Sequence, residues 1–111
     1  MITLVLLQLA GILPSMKSAK ELLRENKADI DVLVKKHRGA SVSVFGSVAR
    51  GEETESSDID LLVEFEKGSS LFDLLHLQDE LQELLGRKVD VVSTGGLKKR
   101  DDHIRREAVP I

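Results

Sequence analysis

The sequence predicts an α/β domain with a small β-sheet flanked by helices. Apolar runs with strand character alternate with amphipathic stretches of helical spacing, in the order helix, strand, strand, helix, strand, helix. The chain has 111 residues, of which 41% are hydrophobic and 32% charged. This size and composition are typical of one globular domain with one core, and they leave no room for a second lobe.

The composition argues against several classes of function. A net charge of −3 disfavours a general polyanion-binding role. Three phenylalanines and no tryptophan or tyrosine provide few rings on which single-stranded bases could stack. Nucleic acid is therefore not the expected partner. The lack of cysteine excludes a disulfide framework and suits a cytoplasmic protein.

The chain begins with an apolar segment at residues 2–13. It is shorter than the about 20 residues that a membrane-spanning helix needs, and no basic stretch precedes it, so neither a membrane span nor a secretory signal is expected. We interpret residues 1–15 as an optional extension of a domain formed by residues 16–111. Alternatively, the extension is a strand or helix that covers an apolar patch or makes a dimer contact.

A first amphipathic helix is predicted over residues 18–38. Ser18 and Glu21 have the spacing of a capping box, and Gly39 is a favourable stop after a basic last turn. The apolar positions in this stretch recur at helical spacing and are expected to face the core; they are Ala19, Leu22, Leu23, Ile30, Leu33 and Val34.

Two strands and a tight turn follow this helix. The apolar run at residues 41–45 predicts the first strand, and the second is expected over residues 58–65. Between them, a turn bracketed by glycines runs from Gly46 to Gly51, and an acidic loop occupies residues 52–57. The loop has no apolar anchor and is expected to be solvated and mobile.

The second half of the chain reads as helix, strand, helix. A leucine-rich helix is predicted over residues 71–85, starting after a capping signal at Ser70 and ending at Gly86. A valine-rich strand is predicted over residues 88–92, and a final helix over residues 97–108. That helix presents either a solvated basic face or a positive surface that attracts a nucleotide triphosphate or an acidic partner.

Two aspartates on the second strand are the first candidate site residues. Side chains alternate along a strand, so Asp58 and Asp60 share one face while Ile59 points to the other. Their bases then lie roughly 6–7 Å apart, a distance from which both carboxylates can reach one Mg²⁺ ion or a close pair of ions. A lone Asp-x-Asp pair is more often a solvated strand face, although acidic residues are depleted in strands, so two on an otherwise apolar strand call for a reason.

The glycine turn is the second candidate. Gly46 and Gly51 allow backbone to approach a ligand closely. Free amides at the start of a helical turn, together with the Ser47 hydroxyl, can hold phosphate oxygens, and Arg50 can add a fork of donors for the same anion.

These motifs resemble those of a known family. The patterns Gly46-Ser47-x-x-Arg50-Gly51 and Ser57-Asp58-x-Asp60-Leu61 are similar to the signature of the nucleotidyltransferase superfamily related to polymerase beta. The small size resembles its minimal nucleotidyltransferase (MNT) branch. The resemblance runs from about Lys17 to the end of the chain, and it implies the nucleotidyltransferase fold with a mixed sheet.

The resemblance also implies the site. A third carboxylate is expected in the valine-rich strand, where Asp90 is a lone charge that is costly unless it is paired or ligating; an edge strand with Asp90 in solvent is the alternative. We expect Asp58, Asp60 and Asp90 to be the metal-binding and catalytic residues. Nucleotide binding is expected from Gly46, Ser47 and Arg50. The implied reaction uses one or two Mg²⁺ ions and transfers a nucleoside monophosphate, with ATP the expected donor, to a hydroxyl.

Small MNT proteins pair with HEPN-domain toxins, and some adenylylate a tyrosine on the toxin. The resemblance therefore implies a protein adenylyltransferase that acts as an antitoxin, with a HEPN toxin as partner, and a homo-oligomer remains open. Two alternatives stand beside this interpretation. One is a nucleotidyltransferase for a small molecule or nucleic acid, and the other is an antitoxin that acts by binding alone.

Overall fold

The structure is a computed structural model, and it describes residues 17–111. Its centre is a four-stranded mixed sheet built from β1 (Gly39–Phe45), β2 (Ile59–Phe65), β3 (Val89–Ser93) and β4 (Val109–Pro110). The strand order is β3-β2-β1-β4. β1 pairs antiparallel with β2 and with β4, whereas β2 and β3 are parallel. The predicted α/β class with a small mixed sheet is confirmed.

Within residues 17–111, five α-helices connect and cover the strands. They are α1 (Ala19–Glu25), α2 (Lys27–Lys36), the single-turn α3 (Gly46–Arg50), α4 (Leu71–Leu85) and α5 (Asp102–Glu107). α4 forms the crossover between the parallel strands β2 and β3, as such a connection requires. In the described part of the chain, none of the helices has the length and apolar character needed to cross a membrane.

The core lies between the helices and one face of the sheet. Alternate residues of β2, namely Ile59, Leu61 and Val63, are fully buried there. α4 contributes Leu77 and Leu81 from successive turns, which is the spacing expected for one buried helix face. The opposite face of β2 carries Asp60 and Glu64, with the buried Leu62 between them. Because β2 is paired on both sides, the backbone that carries Asp60 is held in place.

Most predicted elements are confirmed to within two residues. This holds for the strands expected at 41–45, 58–65 and 88–92 and for the helix expected at 71–85. The proposed extension at residues 1–15 lies outside the described residues, and it remains a prediction.

The predicted single helix over 18–38 is wrong at one point, because Asn26 divides it into α1 and α2. The Asn26 amide donates its side-chain hydrogen bond to the carbonyl of Leu22, 2.8 Å away, while its backbone departs from helical geometry. Asparagine competes for backbone partners in this way and interrupts helices. The predicted cap at Ser18 is confirmed, since its Oγ accepts from the amide of Glu21 at 3.1 Å.

The predicted helix over 97–108 is also wrong in extent. Short 3₁₀ turns at Thr94–Gly96 and Lys99–Asp101 come first, and only then does α5 begin. The Asp101 carboxylate accepts from the amide of Lys98 at 3.0 Å, so a capped turn replaces the start of the expected helix. α5 is followed by β4, a two-residue strand that pairs with the end of β1. That strand was missed, because two residues carry no periodic pattern.

Candidate active site

Two of the predicted carboxylates lie side by side on the sheet. Asp60 of β2 is paired in parallel register with Asp90 of β3, and neighbours in register point to the same face. That face is opposite to the one on which Ile59 is buried. Asp58 lies two residues before Asp60, immediately ahead of β2. The fold therefore brings together acidic residues from the starts of two neighbouring strands, β2 and β3.

The electrostatics of Asp60 reflect this crowding. Partial burial raises the pKa of the Asp60 carboxyl above its usual value, and the nearby negative charges of Asp90 and Asp58 raise that pKa further. Arg50 opposes the rise, whereas Glu107 adds to it. A second positive group approaches the cluster from the residue just before β3, since Lys88 Nζ lies 3.7 Å from an oxygen of Asp58. A cation held here would relieve the repulsion among the carboxylates.

The glycine turn begins directly beside these carboxylates. β1 ends at Phe45, which is paired with Asp60 in the antiparallel register, so Gly46 follows at the same level of the sheet. Gly46 has φ +72°, a left-handed conformation that glycine adopts without strain. A β-carbon on Gly46 would collide with Oδ2 of Asp60 and lie 3.2 Å from its Cγ. The close approach of backbone and carboxylate therefore depends on glycine.

The rest of the turn forms the single-turn helix α3. Ser47 lies half-buried in it, and the next residue, Val48, is fully buried and anchors the turn in the core. The turn closes at Gly51, which caps α3 in the left-handed conformation and donates its amide to the carbonyl of Val48. Ser47 and Arg50 thus sit on a short, firmly anchored element next to Asp60.

Arg50 and Gly46 share an acidic partner that the sequence analysis missed. Oε1 of Glu107 accepts from the Gly46 amide at 2.6 Å and from Arg50 Nη1 at 2.7 Å. The guanidinium also donates through Nε to Glu52 at 2.9 Å. Both carboxylates raise the pKa of Arg50, the hydrogen bond to Glu52 most. Glu107 stands at the end of a basic helix, where no local pattern distinguishes it from a solvated residue.

The loop before Asp58 is held by a second network that the sequence did not reveal. Arg87 donates to the carbonyl of Ser57 at 2.7 Å and to Glu53 at 3.3 Å. Both oxygens of Glu53 accept from the amide of Ala19 at the start of α1, at 2.8 and 3.0 Å. The expectation of a solvated, mobile loop is wrong for Glu53. Because Ser57 immediately precedes Asp58, these bonds hold the backbone from which the Asp58 carboxylate extends.

The donor set fits a hard divalent cation. Carboxylate oxygens are the ligands that Mg²⁺ prefers, and it usually takes one or two of them together with phosphate oxygens of the substrate. Within residues 17–111, no three acidic, imidazole or thiol side chains stand close enough to hold a metal ion on their own. An ion held by one or two of these carboxylates would complete its coordination with oxygens from outside the protein.

The sequence matches known proteins over most of its length. A family model described as a nucleotidyltransferase domain matches residues 30–109. A Methanocaldococcus jannaschii protein that carries the provisional name protein adenylyltransferase is 44% identical over 90 residues, which cover 80% of this chain and 97% of the relative. The protein adenylyltransferase MntA of Thermococcus cleftensis is 47% identical over 57 residues, 51% of this chain and 58% of MntA.

Solved structures agree with this assignment. One that is described as a minimal nucleotidyltransferase superposes with a TM-score of 0.74 at 47% identity, covering 82% of this chain and 94% of that one. A complex of a tri-AMPylated HEPN toxin of Shewanella oneidensis with its MNT antitoxin matches with a TM-score of 0.51 at 21% identity, over 68% of this chain and 58% of that one, a likeness of fold alone. The chain belongs to the nucleotidyltransferase domain family, and it is a nucleotidyltransferase of the minimal type.

Proposed function

We propose that this nucleotidyltransferase transfers AMP from ATP to a hydroxyl of a partner protein, and that it acts in this way as the antitoxin of a HEPN-type toxin. The observation that carries the proposal is the contact between the glycine turn and the carboxylates, in which Gly46 lies directly against Asp60. A triphosphate bound on the turn would have its reacting phosphate within reach of the acidic cluster.

The turn supplies the donors for the triphosphate. The Gly46 amide and the Arg50 guanidinium already converge on one anionic oxygen, that of Glu107. The Ser47 hydroxyl lies in the same turn and is expected to add a hydrogen bond to a phosphate oxygen. These groups position the β- and γ-phosphates and offset their charge, which is most of what phosphoryl-type transfer requires of a protein.

The carboxylates supply the other half of the site. Asp58 and Asp60, with Asp90 beside them, would hold one or two Mg²⁺ ions. When bound, such an ion neutralises charge on the triphosphate and favours departure of pyrophosphate. The raised pKa of Asp60 supports this role, because burial and two neighbouring carboxylates leave it in need of a positive partner.

The reaction follows from this arrangement. The hydroxyl oxygen of the acceptor attacks the α-phosphorus in line with the bridging oxygen of the leaving group. The new oxygen–phosphorus bond forms as the bond to that bridging oxygen breaks, and pyrophosphate leaves with the electron pair. The Asp90 carboxylate takes the proton of the hydroxyl. The products are an AMP ester of the acceptor and pyrophosphate.

The position of Asp90 makes it accessible to a large acceptor. In the described sheet β3 is an edge strand and Asp90 is exposed on it, which is the alternative given in the sequence analysis, so its charge has no burial cost. The proposed base therefore faces solvent, where a side chain of a folded protein can reach it. The relatives named protein adenylyltransferases, and the AMPylated toxin bound to an MNT antitoxin, support a protein as acceptor and a HEPN toxin as its identity.

Incubation with isotopically labelled ATP, Mg²⁺ and a candidate HEPN toxin tests the proposal. We expect an AMP adduct on a toxin hydroxyl by mass spectrometry, and loss of toxicity in cells that produce both proteins. Replacing ATP by GTP, CTP or UTP in parallel reactions identifies the base that the site accepts.

Asp58→Asn and Asp60→Asn are expected to reduce transfer at least about 100-fold, because each removes a charge from the metal-binding set. Asp79→Asn is the matched control, since Asp79 is exposed on α4 and lies outside the site. Neutralisation of the toxin by the Asp58→Asn/Asp60→Asn double variant, with no AMP adduct, would show instead that binding alone inactivates it. Transfer to a small molecule or RNA but not to the toxin would show that the proposed acceptor is wrong.

A further inference from the structure

Glu107 holds the two principal anion donors of the glycine turn with a single oxygen. Its Oε1 accepts from the Gly46 amide at 2.6 Å and from Arg50 Nη1 at 2.7 Å. The Glu107 side chain is 23% exposed, so this contact is partly shielded from water. Charge-assisted hydrogen bonds of this length are stronger than those between neutral groups.

The fold holds Glu107 at this position from a distant part of the chain. Glu107 is the last residue of α5, and β4 follows it after one residue. β4 pairs with β1 at Val109 and Val44, just ahead of the turn that begins at Gly46. The carboxylate therefore stands over the turn because the end of the chain is anchored to the same strand from which the turn emerges.

The geometry is that of a phosphate oxygen bound to the turn. One anionic oxygen bridges a backbone amide and a guanidinium, the same pair of donors that the proposed function assigns to the triphosphate. A second negative group cannot use both donors while Glu107 does, because each of the two hydrogen bonds already ends on its oxygen. Glu107 also adds its negative charge to the field around Asp60.

We propose that Glu107 is an internal competitor of the nucleotide, a carboxylate that occupies the phosphate subsite of the turn and must leave it when a triphosphate binds. This inference rests on the proposed function for its assignment of the subsite to the triphosphate. Displacement frees the Gly46 amide and one arm of the Arg50 guanidinium, while Glu52 continues to orient the Nε side of the same group. Glu107 thus lowers the affinity for nucleotide and keeps Arg50 in place between turnovers.

The test compares the wild-type chain with Glu107→Gln. The amide oxygen of glutamine can accept the same hydrogen bonds without the charge, so the turn keeps its shape while its anionic occupant is weakened. We expect the variant to bind inorganic tripolyphosphate, and ATP with Mg²⁺, about three- to tenfold more tightly by calorimetry. Glu107→Ala is expected to bind at least as tightly, provided that its thermal unfolding remains cooperative.

Two further measurements make the test specific. Asp102→Asn removes a charge from the exposed start of the same helix and is expected to leave tripolyphosphate affinity within about twofold of wild type. The amide proton of Gly46, followed by NMR, is expected to shift upfield in Glu107→Gln, as the short bond to a carboxylate is weakened. Saturation with tripolyphosphate is then expected to bring wild type and variant to the same Gly46 resonance.

The outcomes separate this inference from the proposed function. Unchanged or weaker binding by a folded Glu107→Gln overturns the competitor role and makes Glu107 a support for Arg50, even if AMP transfer is observed. The absence of tripolyphosphate binding by wild type and variants alike also overturns it. Tighter binding by the variant, in a protein that never transfers AMP, sustains the competitor role while the proposed function fails.

Discussion

Gly46 and Gly51 have the same backbone conformation but different surroundings. Both have φ +72°. A β-carbon at Gly46 would collide with Asp60, whereas none of the described atoms would lie within 4 Å of one at Gly51. The two glycines therefore separate the cost of left-handed backbone from the cost of steric contact with the site.

Gly51→Ala is expected to destabilise the protein by about 1–2 kcal/mol, through backbone strain alone, and to leave nucleotide affinity near that of wild type. Gly46→Ala has the same strain and also displaces the Asp60 carboxylate, so we expect a larger loss of stability and at least a tenfold loss of ATP affinity. Urea denaturation and calorimetric titration measure the two effects. Equal behaviour of the two variants in both assays would contradict the close approach of Gly46 to Asp60.

The raised pKa of Asp60 has a consequence for stability. In the pH range between the ordinary and the raised value, the folded protein binds more protons than the unfolded chain. The free energy of unfolding therefore falls as the pH rises through that range. Above the range, the loss of stability caused by the ionised Asp60 carboxylate is complete. Burial and the neighbouring Asp90 and Asp58 are the cause.

We expect Asp60→Asn to raise the free energy of unfolding at neutral pH, in the presence of a chelator, by at most about 1 kcal/mol, because the side chain retains contact with water. The gain is expected to vanish below the ordinary pKa of an aspartate. Thermal unfolding of both proteins across this pH range provides the measurement. A variant less stable than wild type at neutral pH would show that the Asp60 carboxylate is not under electrostatic strain.

At the scale of elements, α2 and α4 are joined by a polar contact over the core. Glu80 of α4 accepts from Lys36 Nζ at 2.8 Å, and its other oxygen lies 2.7 Å from Nε2 of His37. His37 is buried, and it is the C-cap residue that follows α2. The hydrogen bonds from Lys36 and His37 lower the pKa of Glu80. Two helices that are distant in sequence are thereby held in one orientation.

Glu80→Gln is expected to lower the melting temperature at neutral pH, since it removes the charge that Lys36 and His37 contact. A carboxyl whose pKa is lowered by folding stabilises the protein above its ordinary pKa, and this contribution is lost as the pH falls through the lowered value. The difference in melting temperature between the two proteins is expected to shrink towards low pH. A constant difference from pH 7 to pH 2 would assign the effect of the substitution to packing.

At the scale of the whole molecule, residues 17–111 contain a core that joins every major element. Residues of α1, α2, β1, β2, β3 and α4 meet in one cluster, with Val48 of α3 among them. The turn, the carboxylates and Glu107 all lie within this part of the chain. Nothing that the proposed mechanism uses comes from the apolar segment at the start of the sequence.

Deletion of residues 1–15 is therefore expected to leave a cooperatively folded protein with unchanged tripolyphosphate affinity. Circular dichroism, thermal unfolding and calorimetry of the shortened chain test this, and sedimentation of both forms shows whether the segment contributes to self-association. An unfolded or aggregated product would reject the interpretation of the segment as an optional extension.

Much of the fold and part of the site were predictable from local pattern. The strand predicted over residues 58–65 follows from its apolar alternation, and the same alternation places Asp60 on the face opposite to Ile59 and Leu61. The glycine turn follows from residue type, because few other residues tolerate its backbone. These inferences succeed because each depends on residues within one or two positions of each other.

Other features depend on which segments the tertiary structure brings together. Four such features join residues 30 or more positions apart: the register of Asp60 with Asp90, the pairing of β4 with β1, the bond from Arg87 to Ser57, and the bond between Glu107 and Gly46. The break at Asn26 is different, because it is a local feature that the helical pattern did not reveal. Residue type and periodicity report on near neighbours only. The sequence by itself determined that this chain carries a turn bracketed by glycines and a closely spaced pair of aspartates. Only the packing of the tertiary structure decided that the turn and the carboxylates lie against each other, and that Glu107, 61 positions along the chain from Gly46, accepts a hydrogen bond from the Gly46 amide.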